Sequence, residues 1–161
     1  MKRLFDLLLA SSLAALFLLP ALLVALAVKV TSKGPALYWS QRVGQNNRLF
    51  AMPKFRSMRV DAPVVATHLL ADPRAHLTAI GSFLRKSKLD ELPQLFNVLA
   101  GDMSFVGPRP NLYNQIELIE ERSTRGVFSV RPGITGLAQI QKIDMSTPQL
   151  LAETDAKMIK N

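Results

Sequence analysis

Residues 7 to 28 contain no charged side chain, and that run limits what the chain can become. It extends from Leu7 through Ser11 and Ser12 to Val28, with Lys2, Arg3 and Asp6 before it and Lys29 and Lys33 after it. A helix of this length can cross a bilayer, for which about 20 residues suffice. A cleaved signal peptide would have a shorter apolar core and a small-residue cleavage site, and the sequence after Val28 shows neither. Two forms stay open: a spanning helix, and a re-entrant helix that enters and leaves by one face. Pro20 lies near the middle of the run, where it removes a backbone hydrogen bond and clashes with the carbonyl four residues back, so it kinks or breaks the helix. Cations flank both ends, and the positive-inside rule puts both ends in the cytoplasm. Many spanning helices contain proline, so the run alone leaves both forms open.

The sequence divides into this helix, 1–33, and a domain over 34–161. Lys and Arg number 20 against 12 Asp and Glu, a formal charge of +8, which calls for an anionic partner: nucleic acid, a phospholipid surface or a phosphorylated substrate. An embedded helix argues against nucleic acid. There is no Cys, hence no disulfide and no thiol chemistry.

Ala36 to Arg42 reads as a strand, Gly44, Asn46 and Asn47 as a turn, and Arg48 to Met52 as the returning strand of a hairpin. Tyr38 and Trp39 suit either the lipid headgroups or the core, and general burial tendencies favour the core. Lys54, Phe55, Arg56, Ser57, Met58 and Arg59 form a basic stretch, either a solvated loop or a phosphate or headgroup site. His68 and His76 have no further ligand type suitably spaced and read as ordinary histidines. Ile80 to Lys86 reads as a short helix with Phe83 and Leu84 inward. Leu89 to Leu99 is a second helical pattern, with Leu92, Leu95, Phe96 and Leu99 on one face and Gly101 as its stop. Tyr113 to Arg122 is a third. The stretch from Pro148 begins another and stops at Asn161 without Gly or Pro, as if a C-terminally shortened domain were cut mid-element. The class expected is mixed α/β, mostly helical, with a small β-hairpin.

The strongest candidate for chemistry is Asp90 with Glu91, beside Arg85, Lys86 and Lys88. Adjacent carboxylates in a basic setting can bind a divalent cation or serve as nucleophile and base. The positive surroundings are expected to keep a carboxylate ionised and ready to attack. A structural reading competes: Ser87 to Asp90 has capping-box spacing, and such caps are common. Against it, Pro93 would lie deep in that helix, whereas a start nearer Leu89 puts Pro93 in the tolerant first turn. That start also aims free amides at whatever sits beside Asp90, which suits a pyrophosphate. Gly107, Pro108, Arg109 and Pro110 hold one arginine between two prolines, either a phosphate fork or a plain turn. Arg131, Pro132, Gly133, Ile134, Thr135 and Gly136 have the composition of a phosphate loop but lack the P-loop spacing.

Together these stretches resemble the bacterial sugar transferases, the monotopic phosphoglycosyl transferases. Lys2-Arg3 with Asp6, Gln41-Arg42-Val43-Gly44 and Lys54-Phe55-Arg56-Ser57-Met58 are similar to that family's early blocks. Most specific are Leu89 to Leu99, Gly101 to Pro110, and Arg131 to Gly136. The resemblance implies a re-entrant helix broken at Pro20, resting on the cytoplasmic face of the bacterial inner membrane among phospholipids. It implies attack by Asp90 on the β-phosphate of a UDP-sugar, release of UMP, and transfer of the phosphosugar from Asp90 to polyprenyl (undecaprenyl) phosphate, the first membrane step of glycan biosynthesis. Mg2+ would sit near Asp90, with Glu91 completing the dyad. Lys54, Arg56, Arg85, Pro108, Arg109, Pro110 and Arg131 would form the substrate site. Pro63 to Leu77 is similar to relatives acting on amino-sugars, implying an N-acetylated UDP-sugar. Three places depart from the family pattern: Leu19 for serine, Leu137 for tryptophan, and the triplet Gln141-Lys142-Ile143 for Asn-Gly-Arg. The early stop also fits a member that only binds nucleotide-sugar or recruits downstream glycosyltransferases.

Overall fold

The apolar run folds as two helices, α1 (Lys2–Leu16) and α2 (Leu18–Thr31), bent by 59°. Pro20 explains the bend. It has no N–H for the Leu16 carbonyl, and its ring would clash there, so the first helix must end. The bend therefore lies at Phe17 (φ −93°, ψ 8°) and not at Pro20 itself, which falls in the first turn of α2. There its missing N–H has no intrahelical partner to lose. The computed structural model describes residues 1–65 and 69–160, so His68 lies outside the described residues. Among them no single helix is long and apolar enough to cross a membrane; α1 and α2 pass that test only as a bent pair.

The two arms pack on different parts of the remaining chain. Ala10 of α1 joins Met52, Val98 and Met103 in one core cluster. Val28 of α2 joins Phe55 and Leu84 in another, with Leu89 and Leu92 against it. Each large apolar side chain so buried contributes about 1.5–3 kcal/mol. Polar ties fix the contact. Arg3 donates to the carbonyls of Val98 at 2.5 Å and Leu99 at 2.9 Å, which a helix end leaves without partners. Buried Asp6 accepts from Ser104 Oγ at 2.8 Å and the Phe105 amide at 3.2 Å. The opposite faces of the pair, with Leu8, Leu19, Leu22 and Leu26, are exposed.

The hairpin forms from β1 (Leu37–Val43) and β2 (Leu49–Phe55), antiparallel, with Arg42 opposite Phe50 and Tyr38 opposite Lys54. Asn46 and Asn47 take φ of 56° and 59° in the turn, a conformation asparagine tolerates well. The strands run further than expected, so Lys54 and Phe55 belong to β2 and not to a loop. Tyr38 and Trp39 are not core residues. They are 40% and 55% exposed, because the hairpin buries Ser40, Val43, Met52 and Phe55 and they stand outside that contact.

α3 (Gly81–Ser87) buries Leu84, while Phe83 points outward and is 62% exposed; a helix this short buries only one stripe. The expected helix from Leu89 to Leu99 is two pieces: a 3₁₀ turn over Leu89–Gln94 carrying Pro93, then α4 (Leu95–Ala100), closed by Gly101 at φ +99°. The change of pitch takes Phe96 off the apolar face, leaving it 69% exposed. α5 (Ile116–Thr124) starts later than expected, after a turn from Tyr113.

The two glycine-proline stretches are not separate loops. β3 (Ser104–Val106) pairs in parallel with β4 (Gly133–Thr135), and the Gly107 and Gly133 amides donate to Thr135 O and Pro108 O, each at 2.9 Å. The backbones meet so closely that a Cβ on Gly133 would lie 2.1 Å from the Gly107 nitrogen. Glycine is needed for that approach. Short α6 (Leu137–Ile140) and α7 (Pro148–Lys160) complete the chain, with Leu151 packed on Leu118 and Ala138.

Candidate active site

The Asp90 segment begins at a break. α3 ends at Ser87, whose hydroxyl donates back to the Phe83 and Leu84 carbonyls, and Lys88 follows in the left-handed region at φ 60°. Ser87 therefore closes α3 and does not cap the next helix, so the capping-box reading of Ser87 and Asp90 fails. The start at Leu89 puts Asp90 and Glu91 in the first turn of the 3₁₀ segment, against β2.

The two carboxylates have opposite fates. Glu91 Oε1 accepts from Lys54 Nζ at 3.1 Å and Arg109 Nη2 at 2.5 Å. Burial opposes ionisation of Glu91, but Lys54 and Arg109 outweigh it and hold its pKa down to about 2. Lys54 is shifted down, chiefly by its own burial, with Glu91 pulling the other way. Asp90 is 6% exposed, and its Oδ1 is buried with no hydrogen-bond partner. Burial raises its pKa above the ordinary carboxylate value, and adjacent Glu91 adds to that, against the lowering pull of Lys54, Arg85 and Lys88. The basic neighbours alone would lower the Asp90 pKa; burial outweighs them, so the shift is upward. One carboxylate is committed to two cations; the other is unsatisfied.

A cleft of about 1140 Å³ opens beside the pair. Its wall carries Arg42, Lys54, Lys88, Glu91, Arg109 and Lys142 together with apolar Leu13, Phe17, Leu92, Phe105 and Met145. Asp90 is not itself on the wall; in sequence it falls between Lys88 and Glu91, which are.

The remaining expected site residues are distributed as follows. Arg85 Nε donates to Ser57 Oγ at 3.1 Å, with its charge felt at Asp90. Arg56 is not in the cleft: it is buried and donates to Pro35 O at 2.7 Å and Ser32 Oγ at 2.9 Å, tying the exit of α2 to the hairpin. Its guanidinium is thus engaged by two backbone carbonyls and the Ser32 hydroxyl. Pro108 and Pro110 are buried frame residues whose carbonyls accept from Gly133 N and Arg42 Nη1. Arg131 is half-buried and off the cleft wall, its carbonyl lying against Gly107.

Sequence reasoning gave no site role to Arg42 or Arg122. The hairpin register carries the signal for the first: opposite residues of an antiparallel pair share a face, and side chains alternate, so Arg42, Ser40 and Lys54 project from one side. Arg122 of α5 is 1% exposed and pairs with Asp155 of α7 at 2.7 Å. It also donates to Arg109 O at 2.9 Å and Asn111 Oδ1 at 2.8 Å, bracing the loop that delivers Arg109.

The profile of the bacterial sugar transferases matches residues 1–161. The chain belongs to the bacterial sugar transferase family. It is 48% identical over 148 residues to an undecaprenyl-phosphate glucose phosphotransferase of Komagataeibacter xylinus, covering 86% of this chain and 27% of that protein. It is 44% identical over 146 residues to a UDP-glucose:undecaprenyl-phosphate glucose-1-phosphate transferase of Caulobacter vibrioides, covering 87% and 53%. With an exopolysaccharide production protein PSS of Rhizobium leguminosarum bv. phaseoli it shares 46% over 155 residues, covering 88% and 74%. This sugar transferase chain thus spans about a quarter and about half the length of the first two relatives.

Proposed function

We propose that this chain transfers a hexose 1-phosphate from a UDP-sugar to undecaprenyl phosphate, releasing UMP, at the cytoplasmic face of the bacterial inner membrane. The observation that carries this reading is the Asp90–Glu91 pair beside a cationic cleft: a carboxylate oxygen without a partner next to one fixed by Lys54 and Arg109. An unengaged carboxylate can act as nucleophile, whereas one engaged by two cations is a poor one.

In the first step an Asp90 oxygen attacks the β-phosphorus, the bond from that phosphorus to the bridging oxygen breaks, and UMP leaves with the electron pair. Asp90 then carries the phosphosugar. In the second step an oxygen of the lipid phosphate attacks the same phosphorus and the Asp90 carboxylate departs. Arg109 and Lys54 offset charge on the phosphoryl oxygens, and Glu91 holds both cations in place. A cation approaching Asp90 favours its ionised, attacking form.

Mg2+ fits this donor set. The ion is usually held by one or two carboxylates and by substrate phosphates, and the unpartnered Asp90 Oδ1 would hold it, which leaves the second Asp90 oxygen for attack. Bound there, it would neutralise pyrophosphate charge.

The bent pair α1–α2, with apolar outer faces and cations at both ends, suits re-entry into one leaflet among phospholipids. That puts the site at headgroup depth, where a lipid-borne phosphate resides. Three relatives at 42%, 48% and 44% identity carry galactose or glucose in their names, whereas one named for N-acetylgalactosamine is 36% identical. An unmodified hexose is therefore favoured over the N-acetylated sugar that Pro63 to Leu77 suggested. Supply of the lipid-linked product to downstream glycosyltransferases follows from the reaction.

UMP release from UDP-glucose, UDP-galactose and UDP-N-acetylgalactosamine, with undecaprenyl phosphate and magnesium, tests the reading. UMP from a hexose donor that depends on the acceptor is the expected result. No UMP from any of the three sinks it and leaves a protein that binds nucleotide-sugar or recruits glycosyltransferases.

A further inference from the structure

Glu91 is one carboxylate set among three cations. Lys54 and Arg109 share its Oε1, and Arg42 stands on the same hairpin face as Lys54. The Arg42 guanidinium is only partly used: Nε donates to Ser40 Oγ at 2.9 Å and Nη1 to Pro110 O at 3.1 Å. Nη2 has no protein acceptor among the described residues, and Arg42 lines the cleft. Burial lowers its pKa to about 10, with Arg109 adding as a like charge and Tyr38 and Glu91 pulling the other way. Three partly buried cations face Glu91, and even with Asp90 counted beside Lys54 a positive charge is left in excess, which is costly away from water unless an anion joins them. Two bonds already fix the guanidinium plane, so its third nitrogen is presented without further loss of freedom.

We propose that Arg42 is a phosphate-binding residue, which with Lys54 and Arg109 forms a seat for a phosphoryl dianion in the cleft. The inference deepens the transfer reading and rests on it for the identity of the anion. Two phosphates could occupy the seat, the pyrophosphate of the nucleotide-sugar or the phosphate of the lipid acceptor. The shared chemistry is a doubly charged phosphoryl group gripped by guanidinium and ammonium donors.

Binding without turnover tests it. The full chain in detergent micelles, with magnesium, is titrated with UDP-glucose and separately with farnesyl phosphate, for the parent, Arg42→Met and Arg42→Lys. Arg42→Met is expected to weaken one probe about tenfold or more, as loss of a charge-assisted bond does, with Arg42→Lys intermediate and the melting temperature kept. The probe affected names the phosphate. Unchanged affinity for both probes in both variants overturns the proposal. Equal loss of both probes in both variants, with a lowered melting temperature, also overturns it, since Arg42 would then only hold the Pro110 carbonyl. If Arg42→Met does not fold, Arg42→Lys decides: weakened binding of one probe at unchanged melting supports the seat, and unchanged binding overturns it. Arg42-dependent binding without UMP release would keep this inference and sink the transfer reading; UMP release with Arg42-independent binding would do the reverse.

Discussion

Asp90→Asn should make the folded chain more stable while abolishing transfer. The Asp90 carboxylate is 6% exposed and its Oδ1 has no partner. A buried polar group without a partner costs about 1–3 kcal/mol, more when charged. The attraction of Lys54, Arg85 and Lys88 offsets part of that, and the amide introduces donors of its own, so the net gain is about 1–2 kcal/mol. For a chain of this size that is roughly 2–8 °C in Tm. The sign with pH follows from the raised pKa: the fold favours the neutral acid. The parent is at full strength below the ordinary carboxylate range and loses stability as pH rises through the raised value. The advantage of asparagine is thus present near neutrality and disappears toward about pH 4. Thermal melts in micelles, followed by the fluorescence of Trp39, the sole tryptophan, measure it. A lowered Tm for Asp90→Asn, or a gain that does not change with pH, would refute the argument that burial penalises this carboxylate.

Asp155→Ala strands a guanidinium that is 1% exposed and should cost about 3–5 kcal/mol by chemical denaturation. Arg122→Met with Asp155→Leu should recover most of that stability yet leave transfer impaired, because the Arg109 carbonyl loses its brace. Gly133→Ala puts a methyl 2.1 Å from the Gly107 nitrogen and should destabilise by about 1–3 kcal/mol or more, visible as a lowered melting temperature. Cysteines placed singly by Lys2→Cys and Lys33→Cys, in a chain that has no other, should both react from the cytoplasmic side. Adding Pro20→Leu should straighten the helix and move one of them to the far side; labelling from opposite sides in the parent would remove the re-entrant reading.

Much of this architecture is legible locally. The hairpin follows from β-prone residues around an Asn-rich turn, and the bend follows from Pro20, displaced to Phe17 because proline acts on the turn before it. The start at Leu89 was visible in the position of Pro93. Periodicity says which residues share a face but not what covers it, so Phe83, Phe96, Tyr38 and Trp39 end up exposed. The pairing of Ser104–Val106 with Gly133–Thr135 joins distant segments, and its glycines look locally like loop residues. Neighbouring charges can be counted from sequence, but desolvation cannot, so the Asp90 carboxyl was expected to be shifted the wrong way. Nor does a basic stretch reveal which cation the backbone consumes: Lys54 reaches Glu91, whereas Arg56 is bound to Pro35 and Ser32.

The central claim is that Asp90 is the nucleophile, and the most direct measurement is the mass of the protein after exposure to UDP-glucose and magnesium without acceptor. The account predicts an adduct of one hexose phosphate on the peptide containing Asp90, lost on adding undecaprenyl phosphate and absent from Asp90→Asn. Transfer to the lipid without any adduct, or an adduct that persists in Asp90→Asn, would contradict it.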